Sequence, residues 1–553
     1  MSAPPRRTAR NLLIAVLLVA AGLRLATIQF GLPALNDPDE LIFELGAVKL
    51  LSGPTLDPGW FGHPATLTFY ALAALDVAVF ALGWLAGWFA SPSAFAKAIY
   101  ADPTWVILPG RILIVCFGLL VVGLTYRLGE RLFGWRTGLA AAAILAIAPL
   151  HVVWSQIIRA DMMACAFMLL TMLAALRVAR EGRWRDTLAA AAWLAAAMAC
   201  KWPYAVGAMA MAGAVALRWR ADPRVGMTEM RRLFVFALIS MSALVVISPY
   251  LLISWHKAVS DVAGEDQAYH LGATGGSIGW NALWYVHHPL LDSLGAVGLV
   301  LAAVGLVFVA RERKARAILL PVGIVFFIVL ASQHIVWERW ALPLLPILAI
   351  AAGQGAVWLH ARLAQVSGGR WAAPIAVVIG IALAVSPLNS GFARGREMTH
   401  DTRQEASRWL LAHAPRGSSV MIEQFSFDLV GKGYALFFPV GDAGCLSVEK
   451  GLSGQISLSS VQRLHSGRTN IDYGTMAPGK VASCQVDYAI VSQYDRYAAE
   501  RRRFPKETAQ YEGLLDRGET LAIFRPVSGR TGGPVVRIVR FDNARSKPAL
   551  TTG

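Results

Sequence analysis

The sequence predicts a polytopic α-helical membrane protein of about eleven spans, carrying a small C-terminal α/β domain on the extracytoplasmic side. Three observations carry this. Apolar runs recur from Leu12 to Leu388 in a chain of 553 residues that is 56% hydrophobic and 16% charged, more apolar surface than a soluble fold can bury. Short Lys/Arg clusters lie between groups of those runs. Beyond Asn389 the composition changes to that of a soluble domain. The expected division is residues 1–390 in the membrane and 391–553 outside it.

The net charge of +16 lies in those clusters: Arg6 to Arg10, Arg127 to Arg136, Arg177 to Arg185, Arg218 to Arg232, Arg311 to Arg316 and His360 to Arg370. This is the distribution of orienting loops, and no nucleic-acid partner is expected. All six clusters belong in the cytoplasm, so an even number of spans separates neighbouring clusters. The first run, Asn11–Phe30, is longer than a signal core and has no small-residue cleavage site before Asn36, so it reads as an uncleaved span.

Between the first two clusters lie Asn11–Phe30, Ala65–Ala90 and Trp105–Tyr126. Three spans there would put Arg127 outside. Ala65–Ala90, bounded by Pro64 and Pro92 and carrying Asp76, Trp84 and Trp88, is the segment expected to lie along the outer interface. Gly138–Trp154 goes out and Met162–Leu176 returns. Thr187–Lys201 and Tyr204–Leu217 form a hairpin broken at Trp202-Pro203. Leu233–Ile253 leads to the loop Trp255–Pro289, and Leu290–Ala310 returns. Ile318–Ser332 and Ala341–Trp358 form another hairpin, and Ala373–Leu388 leads out. In the tail, Asp401–Ala414 reads as an amphipathic helix. Ser419–Glu423, Tyr488–Ser492, Thr520–Phe524 and Val535–Val539 read as strands. Cys116, Cys165 and Cys200 lie in apolar runs as packing residues, whereas Cys445 and Cys484 in the tail could pair if it is extracytoplasmic.

This topology gathers polar residues at the outer face. Asn36-Asp37-Pro38-Asp39-Glu40 puts three carboxylates within four positions at a helix start, with Asp37 as cap and Pro38 in the first turn. Asp39 and Glu40 are the catalytic candidates, with Asp39 as general base. His63 lies later in the same loop and Arg111 near the outer end of its span. Arg159 and Asp161 form the second loop, Lys201 the third turn, and His334 with Arg339 the last turn before the tail. Carboxylates and cations at that depth usually face a cavity. A carboxylate can take a proton from an attacking hydroxyl, and Arg or Lys can hold a departing phosphate. Arg111, Arg159, Lys201 and Arg339 are the candidates for the donor phosphate. Asp161, His63 and His334 are candidates for orienting the base or binding the acceptor. Asp39 and Asp161 could also hold a divalent metal. No Gly-rich phosphate loop occurs, so no nucleotide cofactor is expected and a lipid-linked donor fits better.

These motifs resemble the GT-C glycosyltransferases, specifically the protein O-mannosyltransferase and aminoarabinose-transferase-like branch. The resemblance runs over about Asn11 to Trp358 and rests on Asp39-Glu40, Gly62-His63-Pro64, Arg159-Ala160-Asp161, Cys200-Lys201 and Arg339-Trp340-Ala341-Leu342-Pro343-Leu344-Leu345-Pro346. The family's His-Pro-Pro is His63-Pro64-Ala65 here, its Arg-Tyr is Arg339-Trp340, and the Lys-Pro-Pro of the aminoarabinose enzymes is absent. The resemblance implies a first-loop Asp as base (Asp39), a polyprenyl-phosphate sugar donor, transfer at the outer face with inversion, and juxtamembrane helices in the first loop. It implies a multi-pass protein of the bacterial inner membrane, with the N-terminus cytoplasmic, the C-terminal domain periplasmic, and a lipid, glycan or protein acceptor. Two other classes compete. A lipid-linked sugar flippase or transporter needs charges along a path at mid-membrane depth. An assembly or sensor protein would hold Asp39 and Arg159 far apart with no cavity joining them.

Overall fold

The structure, a computed structural model, describes residues 6–541 except 54, 63, 64, 424, 425 and 453–471. His63, a candidate orienting residue, lies outside the described residues. The membrane part comprises α1 (Arg6–Leu25), α2 (Pro38–Ser52), α3 (Thr66–Leu85), α4 (Pro92–Ala101), α5 (Thr104–Phe133), α6 (Trp135–Ile147), α7 (Pro149–Trp154), α8 (Asp161–Glu181), α9 (Trp184–Cys200), α10 (Ala208–Ala221), α11 (Gly226–Ile247), α12 (Tyr250–Ile253), α13 (Trp255–Gly264), α14 (Ile278–Tyr285), α15 (Leu291–Arg311), α16 (Arg313–Ala331), α17 (Leu344–Val366) and α18 (Ala372–Thr399).

Among the described residues nine helical stretches are long and apolar enough to cross a bilayer: α1, α3, α5, α8, α11, α14 running into α15, α16, α17 and α18. Eight of these coincide with expected spans. The other three expected spans are the shorter helices α6, α9 and α10. The ninth stretch, α3, covers the segment assigned to the interface. A helix of 20 residues is about 30 Å long, yet both ends of α3 meet the same end of the bundle. The Ala65 N–H donates to the Cys200 carbonyl at 3.1 Å, next to Lys201. Beyond the helix, the Phe89 ring lies 5.1 Å and the Trp88 ring 5.6 Å from Trp105, at the start of α5. Helix α3 therefore lies across that end of the bundle.

At the opposite end the basic clusters meet one another. Arg180 donates to the Arg131 carbonyl, and Arg232 donates to Gly182 O at 2.8 Å. Glu229 is shared between Arg218 and Arg232, at 2.8 and 3.0 Å. The core between the two ends is built from small and linear side chains. Helix α9 buries a nearly continuous set of alanines from Ala190 to Ala199 against Met168, Leu169 and Met172 of α8, which lets the two backbones approach closely.

Helix α18 passes directly into the tail. There α19 (Thr402–His413), β1 (Ser419–Ile422), β2 (Ala435–Val440), β3 (Gly444–Ser447), α20 (Val448–Leu452), β4 (Tyr488–Val491), α21 (Tyr494–Ala499), α22 (Pro505–Leu515), β5 (Glu519–Phe524) and β6 (Val536–Arg540) follow. The six strands form one sheet in the order β3-β2-β1-β4-β6-β5. Strand β1 is parallel to both β2 and β4, and the remaining pairs are antiparallel. The expected helix and four strands are all present; β2 and β3 were not anticipated. Cys445 and Cys484 are joined in a disulfide.

Candidate active site

Where the membrane bundle meets the tail domain, a cavity of about 1260 Å³ opens. Its walls include Asp37, Asp39, Trp154, Arg159, Asp161, Lys201, Tyr204, Glu265, Trp337 and Arg339 from the bundle, and Arg403, Gln493, Asp495 and Arg496 from the domain.

Helix α2 places the first carboxylates. Asp37 caps it, accepting a hydrogen bond from the Asp39 N–H at 3.0 Å, with Pro38 in the first turn. The cap has a second function: both Asp37 carboxylate oxygens accept from Arg159 Nη2, at 3.0 and 3.2 Å. Arg159 Nη1 is ion-paired with Asp39. Burial would lower the Arg159 guanidinium, but Asp37, Asp39 and Asp161 around it raise it above its ordinary value, so it stays a cation. The Asp39 side chain is 36% exposed against 15% for Asp37, so of these two Asp39 is the carboxylate more open to the cavity.

Arg159 precedes α8, whose first residue is Asp161. Asp161 accepts from Lys201 Nζ at 2.8 Å, with the Tyr204 hydroxyl at 3.5 Å. Lys201 closes the C-terminus of α9, where the chain leaves the helix ahead of Pro203. Both partners are 5% exposed. Arg339 sits in the short helical turn Glu338–Ala341. Its guanidinium lies 5.6 Å from the Trp154 ring and 4.6 Å from the Trp337 ring. Burial first, and Arg159 second, lower its pKa to about 10. Among the described residues no carboxylate pairs with Arg339, and its Nε has no hydrogen-bond partner. Asp161, Asp39 and Asp37 act on it from a distance, and a buried arginine over two indoles with no ion pair of its own among the described residues is a site for an anion.

Three expectations are corrected by placement. Glu40, a catalytic candidate, and Arg111, a phosphate candidate, line no part of the cavity. Arg111 Nε and Nη2 donate to the Glu40 carboxylate at 2.9 and 2.7 Å. Arg111 Nη1 donates to the carbonyls of Ile28 and Phe30, and Glu40 also accepts from the Ile158 N–H. Both side chains are fully buried, so this closed pair ties α2, α5 and the chain after α1 together. His334 is 64% exposed and bonds Asp266, while its neighbours Gln333 and Ile335 line the cavity instead. As for a metal, Asp39 and Asp161 are each taken by a cation, and among the described residues no three His, Cys, Asp or Glu side chains gather as ligands. Among the described residues the donor set does not fit a metal.

Sequence reasoning missed Glu265, at the end of α13, whose carboxyl lies close to Gly62. Burial raises its pKa, Lys201 and Arg339 lower it, and Asp39 raises it, so it faces the same cluster of charges as Asp39. It also missed Trp154, which lies under both Arg159, at 5.2 Å, and Arg339. The loop carrying Glu265 is fastened to the tail domain: Arg496 donates to Leu271 O at 2.9 Å, and Gly272 N–H to Glu500 at 2.6 Å.

Residues 85–253 match the family model of dolichyl-phosphate-mannose-protein mannosyltransferases. The fold is similar to that of ArnT from Cupriavidus metallidurans in the apo state, with a TM-score of 0.55 and 14% identity over 97% of this chain and 98% of that one. It is similar also to ArnT from the same organism bound to undecaprenyl phosphate, with a TM-score of 0.53 and 15% identity over 98% and 100% of the two chains. The oligosaccharyltransferase AglB of Archaeoglobus fulgidus, in complex with an inhibitory peptide and a dolichol-phosphate, gives a TM-score of 0.51 and 10% identity over 91% and 72%. No curated protein matches the sequence. The chain is a multi-pass membrane protein with this fold, in agreement with the GT-C resemblance of its motifs.

Proposed function

We propose that the chain is an integral membrane glycosyltransferase that moves a sugar from a polyprenyl phosphate to an acceptor at the outer face. The observation that carries this is one cavity holding an exposed carboxylate, Asp39, beside three cations, Arg159, Lys201 and Arg339. The relatives of similar fold support it, since one binds undecaprenyl phosphate and another a dolichol-phosphate.

The acceptor hydroxyl attacks the anomeric carbon, and Asp39 takes its proton. The bond from that carbon to the phosphate oxygen breaks with its electron pair leaving on the polyprenyl phosphate. Arg339 receives the phosphate without losing an existing partner. Lys201 and Arg159 add charge at the same end, each held in place by Asp161 or Asp37. Attack opposite the leaving group inverts the anomeric centre. Lipid, glycan and protein acceptors share the hydroxyl this chemistry requires.

The setting follows from the charge distribution. The basic clusters mark a cytoplasmic end, with the N-terminus there, and the cavity and tail domain face the outside of the bacterial cytoplasmic membrane. The disulfide in the domain suits an oxidising compartment. A transporter fits less well, because the cavity charges cluster at one end and a separate ion-pair network, Arg218–Glu229–Arg232, occupies the other. The assembly or sensor reading requires Asp39 and Arg159 apart, and they are ion-paired.

The test is incubation of the purified protein with a panel of polyprenyl-phosphate sugars and an envelope glycolipid and glycan extract. Release of polyprenyl phosphate with sugar transfer is expected for one donor class. No release from any donor would remove the reading.

A further inference from the structure

We propose that the C-terminal domain is part of the catalytic apparatus, with Asn36 and Gln404 as positioning residues that set the Asp39 carboxylate. This rests on the reading of Asp39 as the base.

Asn36 immediately precedes the Asp37 cap. Its carboxamide pairs reciprocally with that of Gln404 on α19: Gln404 Nε2 donates to Asn36 Oδ1 at 2.7 Å, and Asn36 Nδ2 donates to Gln404 Oε1 at 3.2 Å. The backbone is gripped as well. Arg403 Nη1 donates to Asn36 O at 2.8 Å, and the Ser426 hydroxyl donates to Leu35 O at 2.8 Å. From the other side Gly31, with φ +73°, lets the chain close over the amide: a Cβ there would stand 2.6 Å from Asn36 Cγ. Asn36 is therefore clamped between its own loop and the domain, three residues before the base.

Gln404 is itself fixed, donating to Ser426 O at 3.0 Å. Neighbouring Arg403 is held by Asp401, which accepts from its Nε at 2.8 Å and its Nη2 at 2.6 Å. The polar groups of the clamp bond one another across the two parts, so the domain fixes the register of the Asp37–Asp39 turn. A domain that only recognised acceptors would have no need to grip this turn. A small displacement of a base costs turnover without weakening donor binding.

The test uses the purified full-length chain as wild type, Asn36→Ala, Gln404→Ala and the double variant. Amide exchange over residues 35–40 is expected to rise at least about threefold in each single variant and no further in the double one, with the thermal midpoint unchanged. With the active donor, kcat is expected to fall about tenfold in each single variant and no further in the double, while donor KM stays within about twofold. Unchanged exchange at residues 35–40 overturns the inference even if no donor is turned over. Wild-type kcat in the single variants, or multiplicative losses in the double, also overturns it. An inactive wild-type protein with the expected exchange pattern counts against the glycosyltransferase reading alone.

Discussion

Arg159, from the loop before α8, is ion-paired with Asp39 in the first turn of α2, while its other terminal nitrogen is held by the Asp37 cap. Two loops far apart in sequence thus bring a cation and a cavity carboxylate into contact. Asp37 holds Arg159 through two hydrogen bonds that do not involve Asp39.

Arg339→Ala should weaken undecaprenyl phosphate binding by about 10–100-fold, the range of a charge-assisted hydrogen bond of ~1.5–3 kcal/mol. Arg339→Lys keeps the charge but loses the planar stack on Trp154 and Trp337, so it should recover only part of the affinity. Equal binding by Arg339→Ala and wild type, measured by calorimetry in nanodiscs, would place the phosphate elsewhere.

Glu40→Gln leaves Arg111 buried without a counter-ion and should destabilise the protein by about 3–5 kcal/mol. Replacing both, as Glu40→Met with Arg111→Met, should restore only part of that loss, because the Ile28 and Phe30 carbonyls and the Ile158 N–H lose their partners. The double variant should keep transfer per folded molecule near wild type, because neither side chain reaches the cavity. Thermal midpoints and specific activities measured together separate this from a catalytic role: a stable but inactive double variant would contradict it.

In the tail domain, burial first and Glu423 second raise the Asp472 carboxyl to about 7. Above its ordinary range the unfolded chain has released this proton while the folded domain still holds it. Stability therefore falls as pH rises from about 4 to about 7 and levels off beyond, by on the order of 4 kcal/mol. Asp472→Asn should flatten the dependence of the thermal midpoint between pH 5 and 8. An unchanged slope in that variant would exclude Asp472 as its source.

Much of the site was legible because charges at the ends of apolar runs are costly and few. Asp39, Arg159, Asp161, Lys201 and Arg339 all stand there, and the structure gathers them. Glu40 was misplaced for a geometric reason: consecutive helical residues point about 100° apart, so when Asp39 faces the cavity Glu40 must face the bundle, where Arg111 meets it. Only the packing of α2 on α5 reveals that partner. Glu265 carried no signal within a long polar loop. Strand β2 was hidden by Pro439, which argues against a strand. Its pairing with β1 spans Ala435 to Phe437, and Pro439 lies beyond it, paired only with β3.

The most direct measurement is transfer by Asp39→Asn beside wild type, with the donor that releases polyprenyl phosphate and with undecaprenyl phosphate binding measured on the same preparations. Loss of the general base should lower kcat by at least about 100-fold, while the phosphate still binds at least as tightly because Arg159 is freed from one carboxylate. Wild-type turnover by Asp39→Asn would contradict the assignment of Asp39 as the base.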